Sequence, residues 1–271
     1  MTDGRTEFFG TEAQRALLAR GKALFDVVRG DPRFTYYGRT VGLATPEDGD
    51  PTLLRSLVAL QGSAHFAAVD TDAIAELQSD AEAHGFAVTR YVRWSGAGDA
   101  LDAARRVLAG ARLPDGIEMV RITPETPEPV MTAFAQMALD CGVLPPVRSV
   151  LDGRDRSGLC LIARTPEGEV VSCAASAAFA DPAHPKFGDI GWWGMLATRP
   201  DHRGSRLSLI LGAHALVGLM EERGLKSVFT GVVAGNAPSE AVCARMGLAP
   251  EMSETLSLAD PVLLPGGRMT K

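Results

Sequence analysis

Leu196-Ala197-Thr198-Arg199-Pro200-Asp201-His202-Arg203-Gly204-Ser205-Arg206-Leu207-Ser208 is the stretch that decides the fold. It reads as the end of a strand, a turn dense in arginine and glycine, and the start of an apolar helix that continues to Arg223. A helix beginning at such a turn points unpaired backbone N–H groups, and roughly half a positive charge, at whatever fills the turn. Arg203 and Arg206 add two full charges, so the guest should be a phosphate or pyrophosphate. Ser227 to Val233 follows as a β-rich strand, and beyond Asn236 a short helix runs from Pro238 to Met246. The whole series makes a receptacle for a bulky phosphorylated cofactor.

Upstream of this stretch, Ile117 to Ile122 reads as a strand and Val130 to Cys141 as a helix. Leu159 to Arg164 and Val170 to Phe179 flank the turn Pro166-Glu167-Gly168 as a hairpin, and Ile190 to Thr198 is the next strand. Leu207 to Arg223 is apolar on nearly every face, so it should be largely buried despite Gly212 and Gly218. Met252 to Leu258 is a last strand, and Pro261 to Lys271 reads as a fraying tail.

The first half is mixed α/β. Thr11 to Val28 is a helix with Leu17, Leu18, Leu24 and Phe25 on its apolar positions. His65 to Val69 is a strand, Thr71 to His84 a helix starting beside Asp70 and Asp72, Phe86 to Trp94 a strand, and Asp99 to Ala109 a helix. A turn-rich stretch from Ala109 to Gly116 sets the expected boundary. The reading is therefore an N-terminal α/β domain over 1–116, a cofactor-binding domain over 117–260, and a tail over 261–271.

Composition narrows the function classes. Apolar residues make up 46% of the 271, enough for real cores. No run approaches the ~18 apolar residues of a membrane helix. The opening Met1-Thr2-Asp3-Gly4-Arg5-Thr6-Glu7 lacks a basic-then-apolar export pattern, so a soluble, cytoplasmic protein is expected. Cys141, Cys160, Cys173 and Cys243 show neither a Cys-x-x-Cys spacing nor a nearby His pair, which argues against metal and disulfides. A net charge of −6 argues against non-specific nucleic-acid binding.

From Ile117 to about Leu258 the order of elements resembles the GCN5-related N-acetyltransferase (GNAT) family. The turn from Pro200 to Ser208 looks like that family's acyl-CoA pyrophosphate loop, Arg/Gln-x-x-Gly-x-Gly/Ala. Asn236-Ala237-Pro238-Ser239 followed by Cys243-Ala244-Arg245-Met246-Gly247-Leu248 resembles its Asn-x-x-Ala…Tyr-x-x-x-Gly-Phe ending. Aligned on Arg203 and Gly204, the next two loop glycines fall on Arg206 and Ser208, and the usual Tyr falls on Cys243.

The resemblance implies a mostly antiparallel sheet flanked by helices and a direct transfer from acetyl-CoA to a primary amine, with no metal. Leu196, Ala197 and Thr198 would pair with the pantetheine arm; Arg203, Gly204, Ser205, Arg206, Leu207, Ser208 and Leu209 would cradle the pyrophosphate. Asn236 and Ser239 would hold the far wall, where two strands splay apart. Such a transfer needs a deprotonated amine, a stabilised oxyanion and a proton for the leaving thiolate. Cys243 is a candidate acid or a small packing residue, and Asp189 a candidate base through water or a solvated residue at a strand's start. The adjacent Trp192 and Trp193 must face opposite ways, one into the core and one toward an acceptor pocket.

The acceptor is an amine on a small molecule or peptide, a small molecule being favoured. An acyl-CoA-binding sensor or interaction module is the alternative, suggested by Arg206, Ser208 and Cys243. His84-Gly85-Phe86 to Val92 echoes Arg223-Gly224-Leu225 to Gly231, so the first half reads as a degenerate GNAT-like repeat. Asp70 and Asp72 at its corresponding helix would repel a second pyrophosphate. That half would then shape the acceptor site, cover the sheet or mediate homodimerisation.

Overall fold

The computed structural model describes residues 5–264, and its strands form one mixed, mostly antiparallel sheet. In chain order the elements are α1 (Glu12–Val28), β1 (Phe34–Thr35), β2 (Gly42–Leu43), α2 (Pro51–Gln61), β3 (Ser63–Asp70), α3 (Ile74–Ala83), β4 (Ala87–Gly96) and α4 (Gly98–Gly110). Then come β5 (Glu118–Arg121), α5 (Glu128–Asp140), α6 (Arg148–Leu151), β6 (Gly158–Arg164), β7 (Val170–Ala178), β8 (Ile190–Thr198), α7 (Leu207–Val217), β9 (Ser227–Val232), α8 (Ala237–Arg245) and β10 (Ala249–Ala259). The sheet order is β1-β2-β3-β10-β4-β9-β8-β7-β6-β5.

That order holds a reciprocal exchange. The chain runs β3-α3-β4, and β10 is inserted between β3 and β4, antiparallel to both. It also runs β9-α8-β10, with β4 inserted between β9 and β10, again antiparallel to its neighbours. β1 and β2 are antiparallel, as are β7 and β8, while β2 with β3 and β8 with β9 are parallel. Exchanging β1, β2, β3, β4 for β7, β8, β9, β10 reproduces the central order. Two copies of one unit thus interlock through their last strands.

This pairing corrects the echo read from the sequence. Phe86 to Val92 belongs to β4, whose counterpart is β10 and not β9. The counterpart of α7 is α2, whereas the helix beside Asp70 and Asp72 matches α8. That helix also starts later than Thr71, because Thr71 donates its N–H to the Met252 carbonyl at 3.2 Å and is tied to the sheet. α2, β1, β2 and α6 are additional to the elements expected. Of the expected tail, 261–264 forms a turn, and 265–271 lies outside the described residues, as do 1–4 of the opening segment.

Two cores lie on the two faces of the sheet. One gathers Leu17, Phe25, Tyr36, Phe66, Phe134, Phe179 and Trp192; the other gathers Trp193 with α4 and α7 residues such as Ala104, Leu211 and Leu216. Trp193 donates Nε1–H to the Gly212 carbonyl at 2.8 Å. A Cβ on Gly212 would stand 2.9 Å from the Trp193 ring, so this close helix–sheet contact needs glycine. Arg93 on β4, buried, bonds Glu251 on β10 at 2.9 Å and the Ala67 carbonyl on β3 at 2.8 Å, tying the interlocked strands together. No helix among the described residues is long and apolar enough to cross a membrane.

Candidate functional site

A cavity of about 480 Å³ opens where β8 and β9 part. The two strands pair at Ile190–Ser227, Gly191–Val228 and Trp192–Phe229, and no further. The cause is a β-bulge in β8. Its pairing with β7 steps from Ala175–Gly194 to Cys173–Ala197, leaving Met195 and Leu196 opposite Ala174 alone. Met195 takes φ 55°, a left-handed conformation costing roughly 1–2 kcal/mol outside glycine. The bulge also inverts the alternation of faces: Trp192 and Ala197 share one core, while Trp193 and Leu196 meet the other. Backbone groups that would have met β9 are thereby turned to the cavity.

At one end of the cavity stands the basic turn. Gly204 takes φ +82°, with open space where a Cβ would point, and Arg206 takes φ 64° immediately before α7. The backbone N–H groups from Gly204 to Ser208 find no acceptor among the described residues. No side chain caps α7 and no acidic residue lies in its first turn. Arg203 and Arg206 have no carboxylate partner among the described residues, although neighbouring Arg199 is held by Glu169 and Asp201. Unpaired amides, two guanidinium groups without a carboxylate partner among the described residues and a helix N-terminus together fit the pyrophosphate of an acyl-CoA.

Of the residues singled out from the sequence, Leu196, Ala197, Thr198, Arg203, Ser208, Asn236, Ser239 and Cys243 line the cavity. Gly204, Ser205, Arg206, Leu207 and Leu209 build the turn and first helical turn beside it. Asn236 caps α8, its side-chain oxygen accepting the Ser239 N–H at 3.4 Å. Asp189 is not in the cavity. It precedes β8 at the closed end, half-buried, with its carboxylate 2.7 Å from the Lys226 ammonium. Trp193 is fully buried beneath α7, while Trp192 lies on the cavity side.

Burial pushes the Cys243 thiol up to about 12. A leaving thiolate resembles an ordinary thiol near pKa ~8.5, so a proton transfer from Cys243 is uphill by roughly 5 kcal/mol. Cys243 is therefore a wall residue that stays protonated, and a poor acid.

The opposite end of the cavity comes from the first half, which carried no sequence motif. Tyr37 stacks on Trp192 with ring centroids 5.0 Å apart and lies 5.7 Å from the His65 ring. His65 on β3 is buried, its Nε2 3.2 Å from Thr35 Oγ1, and burial lowers its pKa to about 4. Arg39, between β1 and β2, sets its guanidinium 5.5 Å over Trp192 and donates to the Leu144 carbonyl at 2.8 and 2.6 Å. These residues meet only because β3 and β10 bring the first half to the seam. Among the described lining residues there is no Asp or Glu. No group of three or more His, Cys, Asp or Glu able to hold a metal occurs among the described residues.

The fold and this site define an α/β protein with two parallel strands parted beside a bare helix N-terminus. The family model of the acetyltransferase (GNAT) family matches residues 124–248, and the chain carries a GNAT domain there. Solved structures with the same fold include a GCN5-related N-acetyltransferase from Kribbella flavida, 17% identical, with TM-score 0.54 over 91% of this chain and 95% of that one. A GCN5-related N-acetyltransferase-like protein from Streptococcus suis 89/1591 is 16% identical, with TM-score 0.51 over 83% and 82%. A tandem GNAT protein from the clavulanic acid biosynthesis pathway is 17% identical, with TM-score 0.50 over 78% and 67%. At such identities the likeness is one of fold. No curated protein matches the chain.

Proposed function

We propose that the protein transfers the acetyl group of acetyl-CoA directly to a primary amine of a small molecule. The observation that carries this reading is the parting of β8 and β9 beside unpaired amides and beside Arg203 and Arg206, which have no carboxylate partner among the described residues. When bound, acetyl-CoA supplies the thioester carbonyl that the neutral amine attacks; the C–S bond breaks as the amide forms, and the proton lost by the nitrogen ends on the CoA thiol. The chain does the rest. Gly204 to Ser208, with Arg203 and Arg206, binds the pyrophosphate, and the free edge of β8 from Met195 to Thr198 aligns the pantetheine arm. A backbone N–H freed at the bulge faces the thioester oxygen and stabilises charge that develops there.

Among the described lining residues no carboxylate stands by to take the amine's proton. The cavity works on the amine's pKa instead. Apolar aromatic walls and the nearby Arg39 charge both disfavour the ammonium form, so the acceptor sheds its proton to water before transfer. The rate should therefore rise with pH along the acceptor amine's own titration and level off once the amine is neutral, with no second step from an enzyme carboxylate or histidine. Cys243 at the place of the family's Tyr favours a second reading, an acyl-CoA-binding sensor. Release of free thiol from saturating acetyl-CoA against a panel of amines separates the two. Amine-dependent release supports transfer; tight binding with no amine-dependent release supports the sensor.

A further inference from the structure

Three arginines are buried among the described residues: Arg39, Arg93 and Arg148. Two have carboxylate partners, Arg93 with Glu251 at 2.9 Å and Arg148 with Glu128 at 2.6 Å. Arg39 has none. It is 9% exposed, its Nε and Nη2 share the Leu144 carbonyl, and its Nη1 has no acceptor among the described residues. The groups acting on its charge are the hydroxyls of Tyr37 and Tyr91, both neutral near pH 7. A guanidinium does not escape by losing its proton. Its stacking on Trp192 offsets only part of the cost of holding a lone charge there.

Arg39 is not part of the pyrophosphate cradle. Trp192, which it covers, is the last residue of β8 paired to β9, and Thr198 beside Arg203 lies six strand steps on, of the order of 20 Å. We infer that the acceptor carries a carboxylate as well as its amine, and that Arg39 binds this carboxylate while Tyr37 and Trp192 flank the segment between the two groups. The inference rests on the acetyl-transfer reading above and names the substrate class of the same cavity.

Charge excludes the competing classes. A polycationic amine would enter a cavity whose described walls hold no Asp or Glu and already contain Arg39. A phosphate dianion calls for more than one cation, and the neighbouring His65 stays neutral. One guanidinium with a free edge matches one carboxylate. The acceptors that fit are amino acids and related amino carboxylates.

The test uses the full chain, acetyl-CoA, and the free amino acids set against their carboxamides, scored by thiol release. At least one acid should be acetylated, with its carboxamide poorer in kcat/KM by about 100-fold or more. Arg39→Met should raise KM for the acid by a similar factor and leave the calorimetric affinity for acetyl-CoA unchanged. It should also unfold at a higher temperature than the wild type, since an uncompensated buried charge is removed and the stem retained.

Acid and carboxamide acetylated alike, or an unchanged KM in Arg39→Met, would overturn the carboxylate assignment and leave acetyl transfer standing. Failure of the wild type to bind acetyl-CoA would remove both. If acetyl-CoA binds but no acid turns over, CoA-saturated protein titrated with N-acetyl amino acids and their carboxamides decides. Binding of the acids alone supports the inference, and equal or absent binding refutes it.

Discussion

Helices α2 and α7 stand in the same topological place, each leaving one strand of a parallel pair and returning to the other, yet only one starts beside free amides and arginines. Before α7 the chain presents Arg203 and Arg206, bare amides and no acid. Before α2 it presents Glu47, Asp48 and Asp50. Asp50 caps the helix through the Leu53 N–H at 2.8 Å, and Asp48 accepts from the Thr45 N–H at 2.9 Å and lies 3.3 Å from His184 Nε2. The strands differ as well. β8 and β9 part after Trp192, whereas beyond β2 the Ala68 N–H still reaches the Ala44 carbonyl at 2.9 Å. One unit leaves its helix start open to an anion; the other fills it with its own carboxylates. The repeat supplies the architecture, and local charge sets the two helix starts apart: the proposed acyl-CoA site falls to the copy without carboxylates.

Reversing that charge should have the largest effect. Arg203→Glu with Arg206→Glu gives the α7 turn the sign of the α2 turn, and acetyl-CoA should bind about 1,000-fold more weakly, since two charge-assisted contacts become repulsions. Equilibrium dialysis reads it. The seam between the units should show next. His65 folds with a pKa near 4 against about 6.5 unfolded, so its burial disfavours folding only where the unfolded chain binds the extra proton. Its share of stability is complete above pH 6.5 and is lost as pH falls to about 4, a loss of roughly 3 kcal/mol. In His65→Asn the urea midpoint should fall less steeply over that window than in the wild type.

Smaller effects sharpen the contrast. Arg206→Gly relieves the φ of 64° and should stabilise the fold by about 1 kcal/mol while weakening acetyl-CoA about 10-fold. A loss of stability would show that the left-handed turn is held by the arginine side chain itself. Asp50→Ala removes the α2 cap and should cost about 1 kcal/mol in thermal unfolding. Its acetyl-CoA affinity should not move.

The half of the site at α7 was legible in the sequence because its parts are local. Arginines, glycine and helix start lie within nine residues, and Asn236 opens the next helix. The other half was not, because Tyr37 and Arg39 lie in the loop between two strands of two residues each, and His65 on a strand whose neighbour, β10, comes from the far end of the chain. The repeat was visible only as a helix–glycine–strand echo. That pattern recurs at any such junction and carries no record of strand partners, so it matched β4 to β9 when pairing sets β4 against both β9 and β10. The bulge at Met195 left no mark either, since Gly-Met-Leu alternates as well as any strand and the inversion appears only in the register against β7.

The central claim, one acyl-CoA site per chain at α7 and none at α2, is tested most directly by calorimetric titration of acetyl-CoA into the wild type, Gly204→Asp and Asp50→Ala. Gly204 has open space around it at φ +82°, so a carboxylate there would face the pyrophosphate and strain the turn. The account predicts one site in the wild type, the same affinity in Asp50→Ala, and no detectable binding in a folded Gly204→Asp. Binding that survives in Gly204→Asp, or a second site lost with Asp50, would contradict it.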